Sequence, residues 1–295
     1  MQPEWTLDGR IPIIWVIDDF NTALSAACRQ GAKLFDAEGA GRMRRLVDET
    51  SACVSLNLVI APEYARAGIP MLADLETPMH DPALDPYHAE LQEWLMQMGD
   101  RVEVTVHGWT HRMDAYSPEV EINPGGWEYT RRSEWLYHPD PVANYRRCVD
   151  ALAGLGYRLT PHVFSNCGGH MDKVTLANLR SSEFGVLAKF PTQPEACATD
   201  YPEIDEMPAY LPDVDVFVFP WAASAGSTRE DLQALLEAGK PIFLVNHGYE
   251  FYDPWFQQMA TPTALRELVA DHADELVFVR YGDYARRIHE RVQQA

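Results

Sequence analysis

The chain has 295 residues, 46% of them hydrophobic, enough for one large core or two modest ones, and α/β barrels of this size commonly form one domain. Its 44 acidic residues against 24 basic ones give a formal net charge of -20, which opposes polyphosphate backbones and anionic lipid surfaces, so neither nucleic acid nor a membrane is an expected partner. The cysteines, Cys28, Cys53, Cys148, Cys167 and Cys197, are odd in number and lack a C-x-x-C pair, which argues against a disulfide framework or a thiolate zinc site and for a reducing compartment.

In chain order, a strand over 13–17 leads to helices over 21–35 and 41–48, and a second strand follows over 52–60. An irregular stretch over 73–86 precedes a helix over 87–98 and a strand over 102–106. A second irregular stretch, 113–139, precedes a helix over 141–155 and a strand over 159–164. A helix over 172–180 and strands over 185–190 and 214–219 come next. Ser227-Thr228-Arg229-Glu230 reads as a capping box, the serine hydroxyl accepting from first-turn amides while the glutamate reaches back, and it opens a helix to Glu237 that Gly239 closes. A strand over 241–246, a helix over 261–271, a strand over 276–280 and a helix over 283–293 complete the series. The strands are short, rich in Val, Ile, Leu or Phe and apolar on consecutive positions, the pattern of strands buried on both faces. Alternation of strand and helix predicts a parallel sheet with right-handed crossovers, and about eight such units predict a distorted (β/α) barrel with seven to eight parallel strands. No repeat or low-complexity linker divides the chain, so residues 1–295 read as a single catalytic domain with rim insertions near 73–86 and 113–139.

The chemistry concentrates at strand ends. His107-Gly108-Trp109-Thr110-His111 follows the apolar run 102–106, and two imidazoles four residues apart at the end of a strand can reach one point. Neutral imidazole is the commonest protein ligand for a divalent transition metal. Asp18-Asp19-Phe20 leaves the first strand in the same manner, and Val245-Asn246-His247 ends a late one. In a parallel sheet these carboxyl ends share a rim, where α/β enzymes assemble their sites. Each signal has a plainer reading alone: aspartate caps helices, histidines recur at i,i+4 on ordinary helices, and a lone strand histidine is commonly a hydrogen-bonded structural residue. Their agreement at three separate strand ends favours a site. The long loop after the histidine pair carries Tyr116, Trp127, Tyr129, Trp135 and Tyr137, which suit either stacking on a substrate or packing the loop onto the rim.

Asp18-Asp19, His107-x-x-x-His111 and Val245-Asn246-His247, in that order, resemble the first, second and last motifs of the polysaccharide deacetylase family, the NodB-homology or carbohydrate esterase 4 group. The resemblance runs from the first strand to Tyr284 and is nearest to divergent members. It implies a distorted (β/α) barrel that removes N-acetyl groups from amino sugars with one divalent metal, zinc first and cobalt, manganese or nickel as alternatives. By the same resemblance Asp19, His107 and His111 hold the metal, Asp18 is the base and His247 is the acid that protonates the leaving amine, although sequence alone does not divide the roles of the two aspartates. Trp109, Trp127, Trp135, His162 and Trp221 are the candidate substrate contacts. Typical members carry an arginine at the third motif that orients the base; here Leu159-Thr160-Pro161-His162-Val163-Phe164-Ser165-Asn166 keeps the proline without it. His162, Asn166 or backbone groups are the candidate replacements. Phe219-Pro220-Trp221 is the nearest counterpart of the fourth motif, with Trp221 able to wall an acetyl pocket but no obvious acidic partner beside it; Asp215 lies within the strand and could face either way.

The amino terminus has no basic segment followed by an apolar one, and nowhere do about eighteen apolar residues run uninterrupted. The expected setting is therefore cytoplasmic and the expected substrate an N-acetylated amino sugar or glycan-related small molecule or oligosaccharide; a homo-oligomer stays open. Removal of a formyl group and opening of a cyclic amide remain alternatives within the superfamily, as does a degenerate barrel that binds carbohydrate without cleaving it. Two histidines and a carboxylate also form the facial triad of non-haem iron oxygenases, but an alternating α/β chain counts against that fold.

Overall fold

The structure is a computed structural model that describes residues 4–20, 37–59, 85–108, 140–164, 187–189, 208–212, 215–219, 222–251 and 256–294. The strands are β1 (Ile11–Phe20), β2 (Val54–Val59), β3 (Val102–Gly108), β4 (Leu159–Phe164), β5 (Leu187–Lys189), β6 (Ala209–Leu211), β7 (Val216–Val218), β8 (Ile242–His247) and β9 (Leu276–Phe278). The helices are α1 (Ala37–Thr50), α2 (Asp85–Met98), α3 (Pro141–Gly154), α4 (Arg229–Glu237), α5 (Thr261–Asp271) and α6 (Tyr281–Gln294). The expected helices over 21–35 and 172–180 and the loop 113–139 fall outside the described residues. So does most of the stretch 73–86, whose last two residues open α2.

β4, β3, β2, β1 and β8 lie side by side in that order, all parallel, and β9 pairs with the first residues of β1. A second sheet has the order β5-β7-β6, with β5 parallel and β6 antiparallel to β7. Ala223, just after β7, bridges Leu244 of β8 in parallel, and β4 lies beside β5. The two sheets thereby follow one another around a ring, the distorted α/β barrel expected from the alternation. The antiparallel β6 was not expected; it is three residues long and flanked by Pro208 and Pro212, too short to show a period.

Two cores divide the residues. The outer one packs Ile13, Trp15, Ile17, Val54, Leu56, Val104 and Leu244 against the helices, for example against Leu46, Trp94, Leu152 and Leu265. The inner one holds Ile14, Val16, Phe217, Phe219, Phe243 and Val245 with Tyr281, Tyr284 and Ile288 of α6. Helix α6 therefore fills the end of the barrel at which the strands begin, leaving the carboxyl ends as the other mouth. The cap of α4 sits one residue later than expected. Thr228 accepts from the Asp231 amide while Asp231 accepts from the Thr228 amide, and Ser227 instead accepts from the Ser224 amide. Aspartate serves in the box because its carboxylate completes the same reciprocal pair. Among the described residues no helix is long and apolar enough to cross a membrane, and Cys53 and Cys148 are free thiols.

Candidate functional site

β2 reads Val54-Ser55-Leu56-Asn57-Leu58-Val59 and β3 reads Val102-Glu103-Val104-Thr105-Val106-His107-Gly108. Successive side chains of a strand alternate between faces. Val54, Leu56, Leu58, Val102, Val104 and Val106 accordingly join the outer core, while Ser55, Asn57, Glu103, Thr105 and His107 share the inner face, all buried. Register sets them in rungs: Ser55 pairs with Glu103, Asn57 with Thr105, and Asp18 of β1 with His247 of β8.

The lower rung anchors α6. Glu103 Oε1 accepts from the Ser55 hydroxyl and from the Gly282 amide at 2.8 Å, and Ser55 Oγ accepts from the Tyr281 amide at 3.0 Å. Two first-turn amides of α6, which have no partner within the helix, are satisfied by these two strand residues. Burial raises the Glu103 carboxyl above its ordinary range, outweighing hydrogen bonds from Ser55, Gly282 and Thr160 and the charge of Arg280.

The upper rung contains the candidate base. Asn57 Nδ2 donates to Asp18 Oδ1, and Asn57 Oδ1 accepts from the Thr105 hydroxyl. That chain fixes the amide's orientation, since the oxygen must face the hydroxyl donor and the nitrogen the carboxylate. Asp18 is 7% exposed, Asn57 0% and His107 2%. His107 Nδ1 stands 3.9 Å from Asp18 Oδ1, too far for a hydrogen bond. The Asp18 carboxylate therefore lies beside the His107 ring without bonding to it.

Both strands are irregular where the candidate ligands occur. Between β1 and β2, Ile17 pairs with Leu56 and Phe20 with Leu58, so Asp18 and Asp19 together oppose the single residue Asn57. Between β2 and β3, Leu58 pairs with Val106 and Val59 with Gly108, which makes His107 the extra residue. A bulge breaks the strict alternation of faces and re-aims side chains, and bulges concentrate beside active sites.

His247 ends β8 and is 6% exposed. A 3₁₀ turn, Gly248–Phe251, follows it and folds Glu250 back. Glu250 Oε2 accepts from the His247 amide at 3.0 Å and from Asn246 Nδ2 at 2.8 Å, and Glu250 Oε1 lies 3.3 Å from His247 Nδ1. Asn246 Oδ1 in turn accepts from Trp15 Nε1 at 3.0 Å.

Of the residues singled out in the sequence, Asp18, His107 and His247 thus meet at the carboxyl mouth of the barrel. Asp19 has its backbone in β1 and His162 its backbone in β4, with both side chains outside the described residues. His111, Trp109, Trp127, Trp135, Trp221 and Asn166 also fall outside them. Among the described residues no three His, Cys, Asp or Glu side chains are placed to hold an ion. Asn57, Thr105 and Glu250 were missed. The signal for the first two was the polar alternation within β2 and β3, and for the third an acidic residue one short turn after His247. Asp215, expected within a strand, precedes β7 in a left-handed conformation, φ 52°, with Tyr210 and His289 on its carboxylate.

No family model matches the chain, and no curated protein matches it in sequence. Similar solved structures exist. One is assigned as a polysaccharide deacetylase from Mycobacterium smegmatis, with a TM-score of 0.58 and 15% identity over 100% of this chain and 95% of that one. Another is Puue allantoinase, with a TM-score of 0.53 and 13% identity over 98% and 94%. A third is assigned as a polysaccharide deacetylase from Pseudomonas aeruginosa PAO1, with a TM-score of 0.50 and 13% identity over 98% and 94%. At such identities the likeness is one of fold, and it gives this chain the distorted α/β barrel of the polysaccharide deacetylases.

Proposed function

We propose that the chain is a metal-dependent amide hydrolase that removes an N-acetyl group from an amino sugar or a related small molecule. The observation that carries this reading is the meeting of Asp18, His107 and His247 at one barrel mouth, with strand bulges at Asp18-Asp19 and at His107.

In this reading Asp19, His107 and His111 hold one divalent ion, zinc first, which when bound lowers the pKa of water towards about 7 and polarises the acyl carbonyl. Asp18 takes the proton of the attacking water. Asn57 holds that carboxylate from the side, doing with a neutral amide what an arginine does in typical relatives, so the base keeps one fixed oxygen and gains no cationic partner from this residue. His247 donates a proton to the departing nitrogen, because an amine is a poor leaving group until protonated; such an acid contributes about 10²–10⁴ in rate. The bulged β1 lets two consecutive carboxylates serve one site, a division that a regular strand opposes.

The experiment is acetate release. The metal-stripped chain, reloaded with zinc, cobalt, manganese or nickel, is assayed on a panel of N-acetylated amino sugars, with formate release measured on N-formyl analogues. Acetate release restored by metal supports the reading; no release from any N-acyl substrate refutes it. A second reading, opening of a cyclic amide, draws on the similarity to an allantoinase, and ring opening of allantoin by the same reloaded protein separates the two.

A further inference from the structure

We infer that Glu250 is the positioning residue of His247, holding the proton on Nδ1 so that proton transfer falls to Nε2. The inference rests on the hydrolase reading for its consequence, but not for its geometry.

A carboxylate accepts hydrogen bonds and donates none, so a ring nitrogen that bonds to it carries the proton. Glu250 reaches His247 Nδ1 with one oxygen and the His247 backbone amide with the other. The two contacts fix the carboxylate against both the main chain and the ring of the same residue. Its second oxygen is shared with Asn246 Nδ2, and Asn246 is held by Trp15, which lies fully inside the outer core. Position therefore passes from a rigid buried indole through an amide and a carboxylate to the imidazole. This is how carboxylates set histidine tautomer and ring orientation at other catalytic and metal sites. The register places His247 beside Asp18 across β1 and β8, so a ring fixed at Nδ1 is fixed relative to the candidate base as well. The sequence places this partner three residues after the histidine, within the turn that follows β8, and not in the strand preceding it.

Two measurements on the full chain test the inference. The first is the His247 tautomer, read by nitrogen NMR of the imidazole at about pH 8, where an ordinary histidine is neutral. Wild type should carry the proton on Nδ1, and Glu250→Gln should lose that preference; an unchanged tautomer overturns the inference whatever the kinetics. The second compares zinc-loaded proteins on N-acetylglucosamine, whose amine leaves only with a proton, and on 4-nitrophenyl acetate, whose phenolate leaves without one. Glu250→Gln should lower kcat for the amide about 10–100-fold at nearly constant KM, leave the aryl ester within about threefold, and regain part of the loss as Glu250→Asp. Equal slowing of both substrates overturns the positioning role in favour of a purely structural one. A tautomer that responds to Glu250→Gln in a protein that hydrolyses no member of the N-acyl substrate panel upholds the positioning and overturns the hydrolase reading.

Discussion

Glu103→Gln should remove a pH dependence of stability without disturbing the barrel. Glu103 is buried, its Oε1 serves both Ser55 and the Gly282 amide, and its carboxyl is pushed above the ordinary range chiefly by desolvation. The folded chain therefore binds this proton more tightly than the unfolded chain. Its stabilising contribution is fully present below the unfolded value near 4.5 and is lost as pH rises through the higher folded value. The loss amounts to about 1.4 kcal/mol for every tenfold by which folding tightens proton binding. Glutamine is nearly isosteric: its oxygen can keep the Ser55 and Gly282 donors, and its amide can face Thr160, whose hydroxyl can accept. The variant should therefore equal or exceed wild type at about pH 8, with the difference shrinking or reversing toward about pH 5. Urea denaturation at both pH values measures this, and subtracting variant from wild type cancels the carboxylates common to the two. A variant more than about 2 kcal/mol less stable at the higher pH, or a difference that does not change with pH, refutes the reasoning.

Other substitutions probe the floor and the rim. Gly282→Ala would drive a Cβ into Thr160 Cγ2 and bring it to 2.9 Å from Glu103 Oε2, and chemical denaturation should show a loss of about 1–3 kcal/mol. Asn57→Leu takes the donor from Asp18 and the acceptor from Thr105; steady-state kinetics should show kcat down on the order of 10²-fold, with bound metal by elemental analysis unchanged. Asp18→Asn should lower turnover about 10²–10⁴-fold while retaining metal, and loss of metal instead would show that the two aspartates exchange roles.

The fold was legible wherever an apolar run was bounded by turn residues. The runs at 13–17, 102–106 and 241–246 became β1, β3 and β8, and their carboxyl ends carry Asp18, His107 and His247. What the runs concealed was their inner face. Both faces of β2 and β3 are buried, as expected, but the inner one is built of Ser55, Asn57, Glu103 and Thr105, polar groups that can be buried because they satisfy each other and the start of α6. Asn57 shows the limit most clearly. The third-motif strand offers His162 and Asn166 as partners for the base, yet Asn57 of β2 donates to Asp18, since pairing of β1 with β2 is a property of the sheet and not of either strand's sequence. Glu250 was hidden for a related reason: its partnership with His247 depends on a 3₁₀ turn that no periodicity announces. The capping box at α4 slipped by one residue because Ser227-x-x-Glu230 and Thr228-x-x-Asp231 both fit the pattern, and only backbone direction selects between them.

A crystal structure of the zinc-loaded chain shows whether the proposed ligands hold an ion. One ion should lie at the carboxyl mouth, with Asp19, His107 and His111 each about 2.0–2.2 Å from it and Asp18 outside its coordination, beside Asn57. An ion bound elsewhere, or a mouth in which these three residues do not converge on one point, contradicts that ligand set.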